Sequence, residues 1–457
     1  MGSYLSLAIF FIVLQSLWAS QQDYTGYSLL QIDTDVDTVQ QIWGKLPGNK
    51  KNELDIWNVV PGSHVDALVP PHSLAAFTAS LETNNVSYSV LQDDIQQQIS
   101  QQRSPGTDDL RSAKRGARSN VGTTRGAKRI FYKRSIVGQY VRVQQIYTWL
   151  DAAKTLFDQY IDIINIGSST EGRPLKVVKL SWPNQAAGVK PAVFIEASTH
   201  AREWLSAATA VYLIDHILQT RQTSTTETLL RHYDIYIAPM ANPDGYEYTH
   251  TTDRFWRKTR SRQSNGCYGV DTNRNWDYHW LDCCQFTGKP CIIGSDSGCA
   301  SQNPCSDIYS GPSALSEPET QALADFIMAR KDQIKFYLTM HSYGQEWYYP
   351  WDYTNLQVDD AAELRRLLQV GKDAQYAVHN KNYVIATGGQ SSRYYIVAGS
   401  SADWARGVAG VNASFTVELR DTGRRGFTVP KSQIVPTGEE TWAALQAMWL
   451  DKKDEWQ

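Results

Sequence analysis

Between about residue 136 and the C-terminal region, two hydrophobic patterns take turns along the chain. Apolar positions recur at helical spacing in VQQIYTWLDAAKTLFDQY, and short apolar runs follow in LKVVKLS, AVFIEAS, DIYIAPM and KFYLTMHS. Between the second and third of these runs, SAATAVYLIDHIL again carries helical periodicity. Strand and helix in alternation predict an α/β sheet covered by helices on both faces. Ile136 to Trp449 spans roughly 315 residues, large but compatible with one domain.

An N-terminal stretch, residues 24 to about 98, has its own alternation. Strand-like GYSLLQI, LDIWNVV and SYSVLQ are interleaved with helical DVDTVQQIWGKL and LAAFTASLET, which predicts a small α+β unit. His64 and His72 lie in it without other metal-ligating residues around them and are expected to be surface or packing residues. Between the two regions, residues 103–134 hold ten Lys or Arg against Asp108 and Asp109, with Gly, Ser and Thr interspersed. That composition predicts an exposed linker. Its pairs Lys114-Arg115, Lys128-Arg129 and Lys133-Arg134 suit a trypsin-like protease acting on an accessible loop, and Ser135 is the predicted new N-terminus.

The 457 residues are 42% apolar and 20% charged with a formal charge of -3, enough for a full core and without the bulk charge of a nucleic-acid binder. Residues 1–22 contain no charged side chain and carry an apolar run from Leu5 to Leu17, which predicts a secretory signal over residues 1–20. Ser6, Gln15 and Ser16 interrupt a run already short of the roughly 20 residues a membrane span needs, so no membrane segment is expected. All six cysteines fall between Cys267 and Cys305, which in a secreted chain predicts disulfides. Two N-x-S sequons begin at Asn85 and Asn412.

Candidate chemistry begins where AVFIEAS runs into THAREW. His200 and Glu203, three residues apart, can converge on one metal, and a distant third histidine would leave one coordination position open, as catalytic zinc requires. The same spacing at His250/Asp253 and His279/Asp282 shows that spacing alone is weak; the preceding strand and following helix set His200/Glu203 apart, because open α/β sheets place sites at strand C-termini. KFYLTM delivers His341 in the same manner, whereas His232 and His379 sit in polar helical contexts. Glu418, inside the apolar FTVELRD, is the candidate general base, since an acid there is costly unless functional or paired; Arg420 is the alternative partner.

Together, His200-Ala-Arg-Glu203-Trp, Arg257 in FWRKTRS, Asn273-Arg274 in VDTNRNWD, His341-Ser-Tyr-Gly-Gln, Tyr395 upstream of Asp403-Trp404, and Glu418-Leu-Arg-Asp-Thr-Gly resemble the zinc metallocarboxypeptidases of the pancreatic A/B type. Residues 24 to about 100 resemble that family's inhibitory propeptide more loosely. The resemblance implies a carboxypeptidase-like mixed sheet and a zymogen: a signal at 1–20, a propeptide at 21–102, a cleavable linker at 103–134 and a zinc carboxypeptidase domain at 135–457. It implies one Zn2+ held by His200, Glu203 and His341, with Asp271 orienting His200. Glu418 would move protons, and Arg257 would stabilise the developing oxyanion. Asn273, Arg274 and Tyr395 would grip the terminal carboxylate of a peptide or protein, with Ser342, Tyr343 and Arg202 lining the cleft. Cys267 and Cys305 match the family's common bridge, while Cys283, Cys284, Cys291 and Cys299 leave three pairings open. The expected molecule is a secreted monomer.

Terminal-residue preference turns on the side-chain pocket. The usual position of a pocket-floor acid is Ala402 here, which departs from the standard basic type. After Tyr349-Pro350-Trp351, however, Asp352 replaces a small residue, and Gln390 adds polarity at another pocket position. Asp352 facing the pocket predicts removal of Lys or Arg; Asp352 capping a turn in PWDYTN predicts an A-like enzyme for aromatic or aliphatic termini. A non-catalytic peptide-binding module would be expected to lack a ligand or the base, and both are present. No G-x-S-x-G nucleophile elbow supports serine chemistry.

Overall fold

The computed structural model describes residues 21–48, 53–60, 62–103, 136–183, 190–282, 299–390 and 396–456. The predicted signal, nearly all of the linker, Ser135, Tyr395, Cys283, Cys284 and Cys291 lie outside the described residues.

The N-terminal unit runs β1 (Ser28–Ile32), α1 (Val36–Gly44), β2 (Asp55–Val60), β3 (His64–Val69), α2 (Pro71–Thr83), β4 (Tyr88–Gln92) and α3 (Ile95–Arg103). Its strands form one sheet in the order β2-β3-β1-β4, antiparallel throughout the pairings β2-β3, β3-β1 and β1-β4. One face buries Leu30, Ile32, Val65, Ala67 and Val69 against Trp43 and Phe77 of the two helices. The other face, with Leu29, Trp57 and Leu68, is not solvated: it packs on Phe255, Tyr343 and Phe427 of the larger domain.

The larger domain continues with α4 (Val143–Leu156), β5 (Ile161–Ser168), β6 (Pro174–Leu180), β7 (Ala192–Ala197), α5 (Trp204–Thr220), α6 (Ser224–His232), β8 (Asp234–Ala238) and α7 (Pro243–Thr251). There follow α8 (Pro318–Met328), β9 (Ile334–Ser342), β10 (Glu346–Tyr349), α9 (Ala361–His379), β11 (Val384–Thr387), α10 (Ser401–Gly407), β12 (Ala413–Leu419) and α11 (Ile434–Lys452). Eight strands form a mixed sheet ordered β11-β10-β12-β9-β7-β8-β6-β5, with β12, β9, β7 and β8 parallel at its centre. This is the predicted α/β class. The strands β3, β5, β10 and β11 and the helices α3, α7, α8, α10 and α11 are additional to the predicted elements. β10 and β11 are only four residues long, and α3, IQQQISQQR, is too polar to show an apolar stripe.

Parallel strands buried on both sides divide their side chains between two cores. In β7, Val193, Ile195 and Ala197 enter the cluster shared with α4, α5, α9 and α11, while Ala192 and Phe194 enter the one shared with α8 and α10. α5 is buried almost around its whole circumference, its less buried positions falling at Asp215, His216, Gln219 and Thr220 near the C-terminal end. On β9 and β12, Leu338, Met340, Val417 and Leu419 fill the first cluster. The two-residue period therefore turns His341 and Glu418 to the opposite face, and they stand side by side in the β12-β9 register.

Candidate metal centre and substrate pocket

Each metal-ligand candidate is delivered by the end of a central strand. β7 ends at Ala197, and Ser198, with φ 60°, turns the chain so that His200 precedes α5. Glu203 occupies the N-cap position of α5 without using its carboxylate as a cap. His341 is the penultimate residue of β9. Their ligating atoms lie within 4.8 Å of one another: His200 Nδ1 is 2.7 Å from Glu203 Oε1, His341 Nδ1 is 3.1 Å from Glu203 Oε2, and the two Nδ1 atoms are 3.0 Å apart. All three residues are buried. Two acceptor nitrogens and a carboxylate crowded at these distances fit one divalent cation, and the donor set is that of a catalytic zinc. Burial disfavours both charges, but the imidazoles of His200 and His341 hold the Glu203 carboxyl well below the usual carboxylate range. Against the same burial, Glu203 raises His341 to about 9.

Asp271 ties the centre to the substrate side. Fully buried, it accepts from His200 Nε2 at 3.0 Å, from Arg257 Nε and Nη2 at 3.0 and 2.8 Å, and from the Asn273 backbone N–H at 2.9 Å. Burial opposes its charge, yet Arg257, His200 and Arg274 keep its carboxyl well below the usual range. One carboxylate thereby fixes the imidazole that faces the metal position and aims a guanidinium at the same cavity.

His200, Glu203, Arg257, Asn273, Arg274, His341, Ser342, Tyr343, Asp352 and Glu418 line one cavity. Arg420, the alternative partner of Glu418, is instead bound by Glu440 and Gln433, so Glu418 keeps its orientation toward the cavity without that pair. The His250/Asp253 and His279/Asp282 pairs converge on nothing comparable: His250 stacks on Trp204, and Asp253 accepts from Tyr24 Oη at 2.5 Å. His279 binds Asp282 at 2.9 Å and stacks on Tyr353. Ala402 packs in the cluster around Trp276 and Trp404, away from the cavity lining, and the Gln390 backbone ends the short 3-10 turn Gly388–Gln390.

Asp352 is anchored on every side. The Asp403 carboxylate accepts its N–H at 2.9 and 3.0 Å and that of Tyr353 at 3.0 Å, while the Asp352 carbonyl accepts from Val397 N–H at 2.9 Å. The turn in PWDYTN thus takes its capping from Asp403, and Asp352 is one of the residues lining the cavity. Burial raises its carboxyl, against the pull of the Ser400 hydroxyl, Arg274 and His341.

Several residues of the cavity were not anticipated: Tyr348, Thr416, Val397 and Gly388 on the enzyme side, and Trp57 and Asn58 from β2 of the N-terminal unit. Around them, Asp55 Oδ1 meets Arg202 Nη1 at 3.1 Å, and the Asp66 carboxylate accepts from Tyr343 Oη at 3.0 Å. The Trp57 ring lies between Phe255 and Phe427, with centroids 4.7 and 4.9 Å away. Farther out, Gln102 of α3 is buried between Arg254 and the carbonyls of Phe427 and Val429. DIWN in LDIWNVV, with an acid, an indole and an amide at alternate or adjacent strand positions, was the available signal.

The fold and the centre define a metallopeptidase of the α/β class with an N-terminal unit seated over its cavity. Residues 146–444 match the zinc carboxypeptidase family, and residues 44–102 match the carboxypeptidase activation peptide, so the chain belongs to the zinc carboxypeptidase family. It is 40% identical to carboxypeptidase B of Astacus astacus over 69% of this chain and 97% of that protein. It is 34% identical to carboxypeptidase A2 of Rattus norvegicus over 95% of both. The crystal structure of thrombin activatable fibrinolysis inhibitor superposes with a TM-score of 0.79 at 30% identity, covering 94% of this chain and 100% of that one. The protein is accordingly a zinc-dependent carboxypeptidase carrying an activation peptide. Cys267 and Cys305 form a disulfide with Cα atoms 5.3 Å apart, as expected. Cys299 is also disulfide-bonded.

Proposed function

We propose that this is a secreted, monomeric zymogen whose mature enzyme, beginning at Ser135, removes C-terminal Lys or Arg from peptides and proteins after a trypsin-like protease cuts the basic linker. The carrying observation is the buried Asp352, which with Arg274 lines the cavity that holds the three metal ligands and feels that guanidinium's charge. Arg274 supplies a cation for the terminal carboxylate, and Asp352 supplies an anion for a terminal side chain. A substrate ending in Lys or Arg carries both complementary charges; one ending in Phe or Leu leaves Asp352 buried and unpaired. Sites built around a polar partner reject analogues lacking it by roughly 10^4-fold. The 40% identity to a carboxypeptidase B is consistent with this assignment.

Bound zinc supplies Lewis acidity and an acidified water. Around it, His200, Glu203 and His341 are the ligands, with His200 held in its tautomer by Asp271. Glu418, opposite His341 in the β12-β9 register, accepts a proton at a carboxylate oxygen in this reading and returns it to the leaving amine. Arg257, held by Asp271, presents its remaining N–H groups to the scissile carbonyl oxygen. Asn273 keeps its own side chain fixed by accepting from Ser401 N–H at 3.0 Å. Asn273, Arg274 and Tyr395 bind the terminal carboxylate, which restricts the enzyme to chain ends.

The test is hydrolysis of blocked dipeptides ending in Arg, Lys, Phe and Leu by the trypsin-cleaved protein, with and without a zinc chelator, compared with Asp352→Asn. Chelator-sensitive preference for Arg and Lys that falls about 10- to 100-fold in Asp352→Asn is expected. Preference for Phe or Leu in the unsubstituted enzyme would overturn the basic assignment in favour of the A-like one.

A further inference from the structure

We propose that Gly388 is a specificity-determining residue whose missing side chain seats the Asp352 carboxylate in the pocket, an inference that rests on the assignment of Asp352 to the basic pocket. A Cβ added at Gly388 would lie 1.7 Å from Asp352 Oδ1, 2.7 Å from its Cγ and 2.9 Å from its Cα. The first distance is far inside van der Waals contact, so alanine and the observed carboxylate position exclude each other.

The requirement is spatial. Gly388 is not among the glycines with positive φ, so its backbone does not itself demand glycine. It follows β11 and opens the turn Gly388–Gln390, whose next residue donates from Gly389 N–H to the Trp351 carbonyl at 2.9 Å. A Cβ at Gly389 would also meet the Thr354 carbonyl oxygen at 2.2 Å. The two glycines let residues 351–355 lie directly against the 388–389 main chain.

With alanine at 388, the Asp352 main chain has little room to retreat. Its N–H is held by both oxygens of Asp403 and its carbonyl by Val397 N–H. Rotation of the Asp352 side chain about χ1 clears the contacts at Oδ1 and Cγ, leaving only the contact at its Cα to a small shift of the turn; that rotation breaks the bond to Ser400 and moves the carboxylate from its place at the cavity lining. Gly388→Ala should therefore mimic loss of the acid while leaving Asp352 in the sequence.

The experiment compares the activated zinc enzyme with Asp352→Asn, Gly388→Ala and the double variant. Its readout is the ratio of kcat/KM for matched blocked dipeptides ending in Arg and in Phe. Loss of a charged hydrogen-bonding partner corresponds to about a 10- to 100-fold fall in that ratio. We expect such a fall in both single variants and no further fall in the double, because both act on one interaction. An unchanged ratio in Asp352→Asn would overturn the pocket assignment and this inference with it. A fall in Asp352→Asn with none in Gly388→Ala, or with a fully multiplicative double, would overturn the role of Gly388 alone. Should Gly388→Ala not fold, recovery of folded enzyme in Gly388→Ala/Asp352→Gly supports the steric account and continued failure overturns it.

Discussion

Trp57→Ala in the uncut chain is expected to unmask activity without cleavage. The indole is 7% exposed, reaches into the catalytic cavity, and contacts Phe255 and Phe427 of the enzyme. Truncating a buried tryptophan costs about 3–5 kcal/mol, and each aromatic pair contributes roughly 0.5–1.5 kcal/mol beyond its area. Some of the truncation cost falls on the activation peptide's own packing, since Leu29 and Leu68 share the cluster. Loosening that unit and loosening its docking act in the same direction. Taking about 3 kcal/mol as the effect on the covered state, the open fraction of uncut molecules rises about 150-fold. The assay is hydrolysis of a blocked dipeptide by uncut protein with the linker verified intact, divided by the activity of the same preparation after full cleavage. Trp57 leaves with the activation peptide, so the cleaved forms should be indistinguishable. An uncut Trp57→Ala protein as silent as the parent, with a fully active cleaved form, would refute the view that β2 blocks the cavity through this ring.

Two further outcomes are expected. At the seam, burial raises the carboxyls of Asp55, to about 6, and of Asp66 and Asp253. A raised carboxyl binds protons more readily in the docked state than when released, so docking gains as pH falls through about 6 and loses as it rises again. The activity ratio of uncut to cleaved protein, measured at matched pH, should therefore drop from pH 7 to pH 5; an increase on acidification would contradict the assignment. Asp271→Asn should weaken zinc binding by about 10- to 100-fold, read by chelator competition, because His200 loses its carboxylate partner; unchanged affinity would show that Asp271 does not orient the ligand.

The sequence by itself determined the chemistry that depends on local order. His200 and Glu203 sit between an apolar strand and an apolar helix, His341 ends a second strand, and Glu418 interrupts a third; strand period and burial suffice to mark each as unusual. The alternation of elements likewise gave the sheet and its covering. What tertiary structure decided is everything set by partners distant along the chain. Arg420, expected to share a strand face with Glu418, lies just beyond the end of β12 and pairs with Glu440, twenty residues away on α11. The amides of the PWDYTN turn are taken by Asp403, fifty-one residues on from Asp352, a partner no local pattern announces. Ala402, expected in the pocket, is carried into the core by α10. Polar α3 and the four-residue strands β10 and β11 carry too few apolar positions to reveal a period. Trp57 reads as one more apolar strand residue, and only the packing of the small sheet on the larger domain brings it to the cavity. Periodicity encodes which face of an element is buried, and the docked fold selects the partner it is buried against.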